Sequence, residues 1–258
     1  MITAALEKYL FPKQFRISLT YAAFILFGIM LGAIKGAFLG MLCDTLKMTI
    51  FGIGNWMIEY AIIPPMIAIL SALFMRLINL KGKNIWTLGF IFLVIATIFL
   101  VVFLLKKYNV ISWNENKAKL KKTDLVPVYI VSIISGIGIS GIWIFALGLF
   151  IIYAKNMSFK SKWRAQLLFV ILVSIFIILV ICRWFWGPFA YITYHNRFHI
   201  KGGTKWKYGD YFAIFMTPII FKTLIEIPIY TTIIYFLYPL TMSIKRKIKQ
   251  YINNGFGK

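Results

Sequence analysis

The sequence predicts an all-α, polytopic membrane bundle, and two observations carry that prediction. Apolar residues make up 61% of the chain and charged residues only 14%, where a soluble domain has closer to a quarter charged. Ile85–Leu105 and Leu125–Ala154 contain no charged residue at all. Each is long enough to cross about 30 Å of hydrocarbon as a helix. Backbone groups cannot stay unpaired in lipid, which favours helices over open strands.

The remaining segments follow in order, separated by basic or turn-rich breaks. Ile2–Leu10 is a short, partly apolar helix carrying Glu7 and Lys8, with no long apolar core of the kind a cleavable signal has. The run from Ile17 to Ile53 is too long for one span and breaks near Leu31–Ala33 into two helices. Ile58–Leu77 follows, with Pro64 and Pro65 inside it, and then Ile85–Leu105. A loop with six lysines, Lys106–Thr123, leads to Leu125–Ala154. The basic loop Lys155–Arg164 precedes Ala165–Tyr191, and the polar loop Tyr194–Asp210 precedes the last span, Tyr211–Leu240. The whole of 1–258 reads as one integral membrane domain. Its parts are 1–80, an inserted helix pair at 85–154, a C-terminal set at 161–242 and a basic tail at 243–258.

The formal net charge of +22 comes from Lys and Arg beside the apolar runs, where they meet lipid headgroups and snorkel. No nucleic-acid motif accompanies it, so no nucleic-acid partner is expected. The positive-inside rule places the tail cluster Lys245, Arg246, Lys247 and Lys249 in the cytoplasm, although the Lys106–Thr123 loop then lies outside against the rule. Cys43 and Cys182 sit inside apolar runs as packing residues. Gly28, Gly32, Gly36 and Gly40 recur every four residues, the spacing that lets membrane helices approach closely. A second set, Gly136, Gly138, Gly141 and Gly148, softens or tightly packs its own span.

Two blocks carry a family resemblance. The first is Phe15–Leu77, with Arg16-Ile17-Ser18, the glycines from Gly28 to Gly40, Asp44, and the Gly52–Trp56 loop. The second is Phe221–Leu240, with Lys222, Pro228, Thr231 and Thr232. Together they resemble the S component of an energy-coupling factor (ECF) transporter, the folate type in particular. The resemblance implies a six-span vitamin-binding core, here with a short first helix and two extra transmembrane helices, Ile85–Leu105 and Leu125–Ala154. The folate type has an Arg one turn before the Lys of the closing helix, where this chain has Ile219.

The same resemblance implies that Pro12–Arg16, Gly52–Trp56 and Tyr194–Asp210 share the outer face, around one outward pocket. The candidate substrate-binding residues are Arg16, Asn55, Trp56, Glu59, Arg183, Trp184, Trp186, Lys222 and Glu226. A carboxylate, Glu59 or Glu226, can take two hydrogen bonds from a pterin edge. Trp56, Trp184 or Trp186 can stack on the ring. Arg16 and Lys222 can pair with glutamate carboxylates. Plainer roles are open to each: Lys222 and Glu226 are four apart on one helix and can pair together, Glu59 can serve a helix start, and tryptophans near span ends anchor at the interface. Asp44 reads as structural, paired with Lys47 or Lys35. The resemblance implies a vitamin ligand (folate favoured), an ECF transmembrane coupling subunit and two ATP-binding subunits as partners, besides membrane lipid, in the cell membrane.

His195 and His199 have a helical metal spacing but no further ligand nearby, so neither metal nor cofactor is expected. No nucleotide loop or nucleophile–base set is present, and no catalysis by this chain is expected. An integral membrane enzyme acting on a lipid or isoprenoid, using Asp44, Glu59, Glu226 and the His pair, is the alternative. A secondary transporter would be expected to show an internal repeat, and none is evident.

Overall fold

The computed structural model describes residues 19–51, 57–76, 82–114, 128–155, 158–198 and 205–255. These residues are almost wholly helical: α1 Thr20–Leu31, α2 Ala33–Phe51, α3 Ile58–Ala61, α4 Ile63–Arg76, α5 Gly82–Asn114, α6 Val128–Lys155, α7 Phe159–Leu179, α8 Trp186–Phe198 and α9 Tyr208–Gly255. A π-helical turn, Val180–Phe185, joins α7 to α8. Five stretches are long and apolar enough to cross a membrane: Ile58–Arg76, Asn84–Leu105, Ser135–Lys155, Phe159–Phe198 and Phe215–Ile248. The all-helical, multi-pass expectation therefore stands among the described residues, and the count of six spans plus two is not reached by that criterion. Helix α1 is apolar but has only 12 residues, and α2 carries Lys35, Asp44 and Lys47.

The break between α1 and α2 falls at Gly32, inside the expected Leu31–Ala33 window. Its φ of 85° lies in the left-handed region that costs an L side chain energy and glycine little. Its N–H closes α1 by donating to the Gly28 carbonyl at 3.0 Å. The other glycines of the series make contacts instead. A Cβ on Gly28 would collide with the Ala68 carbonyl oxygen, and one on Gly36 would stand 2.8 Å from that of Phe27. Gly28 thus sets how closely α1 and α4 approach. The second set divides similarly: Gly138 lies against Leu224 of α9, while Gly136, Gly141 and Gly148 face open space.

Pro64 and Pro65 explain why Ile58–Arg76 is two helices. Neither has an N–H for the carbonyls one turn back, so the helix ends at Ala61 and restarts at Ile63, with both prolines in the tolerant first turn. Helix α9 runs through Pro218, Pro228 and Pro239 without ending. Its threonines bond to backbone carbonyls one turn back, Thr231 to Ile227 at 2.7 Å and Thr232 to Pro228 at 2.9 Å.

Helix α7 is the axis of the bundle. It packs on α4, α5, α6 and α9, and α1, α2 and α4 form a cluster beside it. Burial takes 83% of the α7–α8 span's apolar window but only 22% for α5 and for α6. The pair that the sequence reading sets apart as inserted is therefore peripheral. Its outer faces leave Ile91, Ile95, Ile98, Ile137 and Ile144 exposed, as lipid contact requires. Its inner face is held by aromatic packing around Trp86, which stacks on Phe169 of α7 at 4.1 Å and meets Phe150 and Tyr153 of α6.

The chain order gives the bundle two ends. Thr20, Phe51, Ile58, Phe198 and Tyr208 mark the head end; Lys47 bonds to Thr20 at 3.3 Å and the Tyr60 and Tyr194 rings meet there. Gly32, Arg76, Lys155, Phe159 and the end of α9 mark the tail end. Lys245 donates to the Ile29 carbonyl at 3.2 Å there, satisfying an orphan group at the end of α1.

Candidate functional site

A cleft of about 330 Å³ opens in the head half of the bundle. Thr20, Tyr21 and Phe24 of α1 form one wall and Asp44, Lys47 and Met48 of α2 a second. Tyr60, Ile63 and Pro64 supply a third, and Tyr191 and Tyr194 of α8 close it. Four tyrosines and one charge of each sign thus line a space inside an apolar bundle. The expected pairing of Asp44 with Lys47 or Lys35 is not formed within 4.0 Å among the described residues; Lys47 donates to Thr20 instead.

A charged cluster lies behind Tyr21. Arg183, from the π turn, places its guanidinium 4.9 Å from the centre of the Tyr21 ring and forms an ion pair with Glu226 of α9. The Glu226 side chain is wholly buried, and Lys222 Nζ stands 3.9 Å from its second oxygen. The i,i+4 pair read from the sequence is present, but Arg183 is the closer partner. Along α9, Glu226 stands about 28 Å from Lys245 at 1.5 Å per residue, so this cluster too belongs to the head half.

A second ion pair, between Glu59 and Arg197, spans 3.0 Å from α3 to the end of α8. Trp186 donates to the Glu59 carbonyl at 2.6 Å. The other oxygen of the Glu59 carboxylate is buried without a hydrogen-bond partner among the described residues.

The expected site residues fall out as follows. Arg16, Asn55 and Trp56 lie outside the described residues. Arg183, Lys222 and Glu226 come together behind the cleft, and Glu59 and Trp186 come together beside it. Trp184 does neither: it is fully buried against Phe176 of α7. Successive side chains on a helix point about 100° apart, so Arg183 faces α9, Trp184 the core and Trp186 α3. Of the His pair, His199 lies outside the described residues and His195 stacks on Trp206 at 3.3 Å. No group of three metal-ligating side chains occurs among the described residues.

The sequence reading missed the tyrosines of the cleft and Arg197. Tyr191 and Tyr194 are three apart near a span end, a spacing that puts them on one helical face; that spacing was the available signal. Arg197 left none, because its partner is 138 residues away.

No protein-family model, curated protein or solved structure matches the chain.

Proposed function

We propose that this chain is the substrate-binding membrane subunit of an ECF-type importer. Its ligand is a flat heteroaromatic vitamin with an acidic tail, folate or a related pterin in the first instance. The observation that supports this best is the cleft itself, walled by Tyr21, Tyr60, Tyr191 and Tyr194 with Asp44 and Lys47 beside them. Its volume sits at the small end of the range for ligand sites, which suits a bicyclic ring between aromatic walls. Asp44 is an acceptor for ring N–H groups, and Lys47, with Arg183 beneath Tyr21, favours a carboxylate. Ionisable groups inside a span usually serve a cavity or a partner, and here they cluster around one space.

In this reading the chain performs no chemistry. A transmembrane coupling subunit and two ATP-binding subunits supply the energy, and the complex resides in the cell membrane. The charge arrangement favours capture over the alternative of a lipid-directed enzyme. Glu59 and Glu226 are each held by a cation, which suits neither a general base nor a metal ligand.

The test is titration calorimetry of the purified protein in mild detergent with folate, a pterin lacking the acidic tail, and riboflavin, with mass spectrometry of any co-purified small molecule. The expected result is saturable binding of folate that weakens at least about tenfold in Tyr60→Ala and Tyr194→Ala, roughly the loss of one aromatic contact. Absence of binding to all three compounds, with no co-purified vitamin, would overturn the proposal.

A further inference from the structure

The tail end carries a concentration of charge that the cleft does not use. Lys35, Arg76, Lys155, Lys160, Lys162, Arg164, Lys245, Arg246 and Lys247 all lie there, nearly all of them exposed. The acidic residues of the described chain, Asp44, Glu59, Asp210 and Glu226, lie nearer the head end, and no ion pair offsets these cations among the described residues. Large apolar side chains stand exposed among them. Phe159 is 83% and Trp163 42% exposed at the start of α7, and Ile248 is 43% and Tyr251 79% exposed on α9.

These two stretches are neighbours. The Trp163 and Tyr238 rings approach to 6.5 Å. From that level α7 runs only about 6 Å further to Phe159, while α9 runs about 20 Å further to Tyr251. The last turns of α9 therefore project beyond the start of α7, with Ile244, Ile248 and Tyr251 at helical i, i+4, i+7 spacing and Arg246 and Lys247 beside them.

We propose that this projecting end of α9 and the start of α7 form a binding surface for anionic phospholipid headgroups. Aromatic and aliphatic side chains next to cations that have no acidic partner among the described residues, near where apolar spans end, match the boundary between acyl chains and headgroups. Phosphate oxygens would supply the negative charge that this end lacks. An acidic protein surface would satisfy the cations but gives no reason for Phe159 and Trp163 of α7 and Ile248 and Tyr251 of α9 to stand exposed among them. The inference is independent of the vitamin-binding proposal.

The test is native mass spectrometry of the delipidated full chain with added phosphatidylglycerol and phosphatidylcholine in equal amounts. Wild type is expected to retain phosphatidylglycerol preferentially. Two double variants, Lys160→Gln with Arg164→Gln and Arg246→Gln with Lys247→Gln, are each expected to reduce that preference by at least about tenfold, since each cation near a charged leaflet contributes on the order of a factor of five. A head-end control, Lys205→Gln with Lys207→Gln, is expected to keep it. None of the four tail-end side chains substituted makes a hydrogen bond or ion pair among the described residues, and unchanged thermal melting will show that the variants remain folded. Equal retention of the two lipids by wild type, unchanged preference in both tail-end variants, or the same loss in the control would overturn the proposal. Unchanged lipid preference is also the outcome expected if these cations serve an acidic protein instead.

Discussion

Replacing Glu226 by Gln will destabilise the protein more than almost any other single polar change. The carboxylate is wholly buried, with Arg183 against one oxygen and Lys222 at 3.9 Å from the other; those two partners are 13% and 33% exposed. Removing its charge leaves two cations facing a neutral amide in a low-dielectric setting. Breaking one partner of a buried ion pair typically costs about 3–5 kcal/mol, and both Glu226→Gln and Arg183→Met are expected in that range. The double replacement Arg183→Met with Glu226→Met removes both buried charges and fills the volume. Such replacements are often neutral or stabilising, so the double variant should lie within about 1 kcal/mol of wild type, with Lys222 turning its ammonium towards the head end. Wild type, Arg183→Met, Glu226→Met (expected to cost at least as much as Glu226→Gln) and the double variant form a double-mutant cycle, measurable by SDS-titrated unfolding in mixed micelles followed by far-UV circular dichroism. If either single change costs less than about 1 kcal/mol, or if the double cost equals the sum of the singles, the pair is not a coupled buried unit and the reasoning fails.

Gly28→Ala is expected to cost about 1–3 kcal/mol as an overpacking change, because the added methyl meets Ser71 and the Ala68 backbone. Gly141→Ala, which faces open space, serves as its control in the same unfolding assay and should be neutral or stabilising. Trp86→Ala should cost about 3–5 kcal/mol, as for other buried aromatic truncations, and should release α5 and α6 first, seen as faster hydrogen exchange confined to 84–105 and 135–155. Asn196→Ala removes a reciprocal pair of bonds with Trp206, at 3.0 and 2.9 Å, that ties the end of α8 to the start of α9. The expected loss is about 1–3 kcal/mol, two bonds at 0.5–1.5 each, with raised exchange at 205–211 and little change elsewhere.

Much of the fold was legible because membrane helices announce themselves by length and charge. The uncharged runs at Ile85–Leu105 and Leu125–Ala154 became α5 and α6, and the Gly-rich stretch broke at Gly32 as expected. The candidate site was legible only in part. Lys222 and Glu226 are neighbours on one helix, so their pairing follows from spacing. Arg183 sits on another span, so its meeting with them depends on how the two spans pack, and Trp184 beside it lies in the core. The tyrosines of the cleft come together only through the packing of α1, α3 and α8.

The sequence by itself determined that the chain is built of helices long and apolar enough to cross a bilayer, where most of the breaks fall, and that its charge is overwhelmingly positive. These are local properties, set by the cost of placing charge or unpaired backbone in hydrocarbon. Only the tertiary structure decided which charges meet. It buried Glu226 against Arg183, linked Glu59 to Arg197, lined one cleft with tyrosines from three helices, and gathered cations at the tail end that no acidic side chain opposes among the described residues. Those arrangements depend on contacts between residues distant in the chain, which local hydropathy and periodicity do not encode.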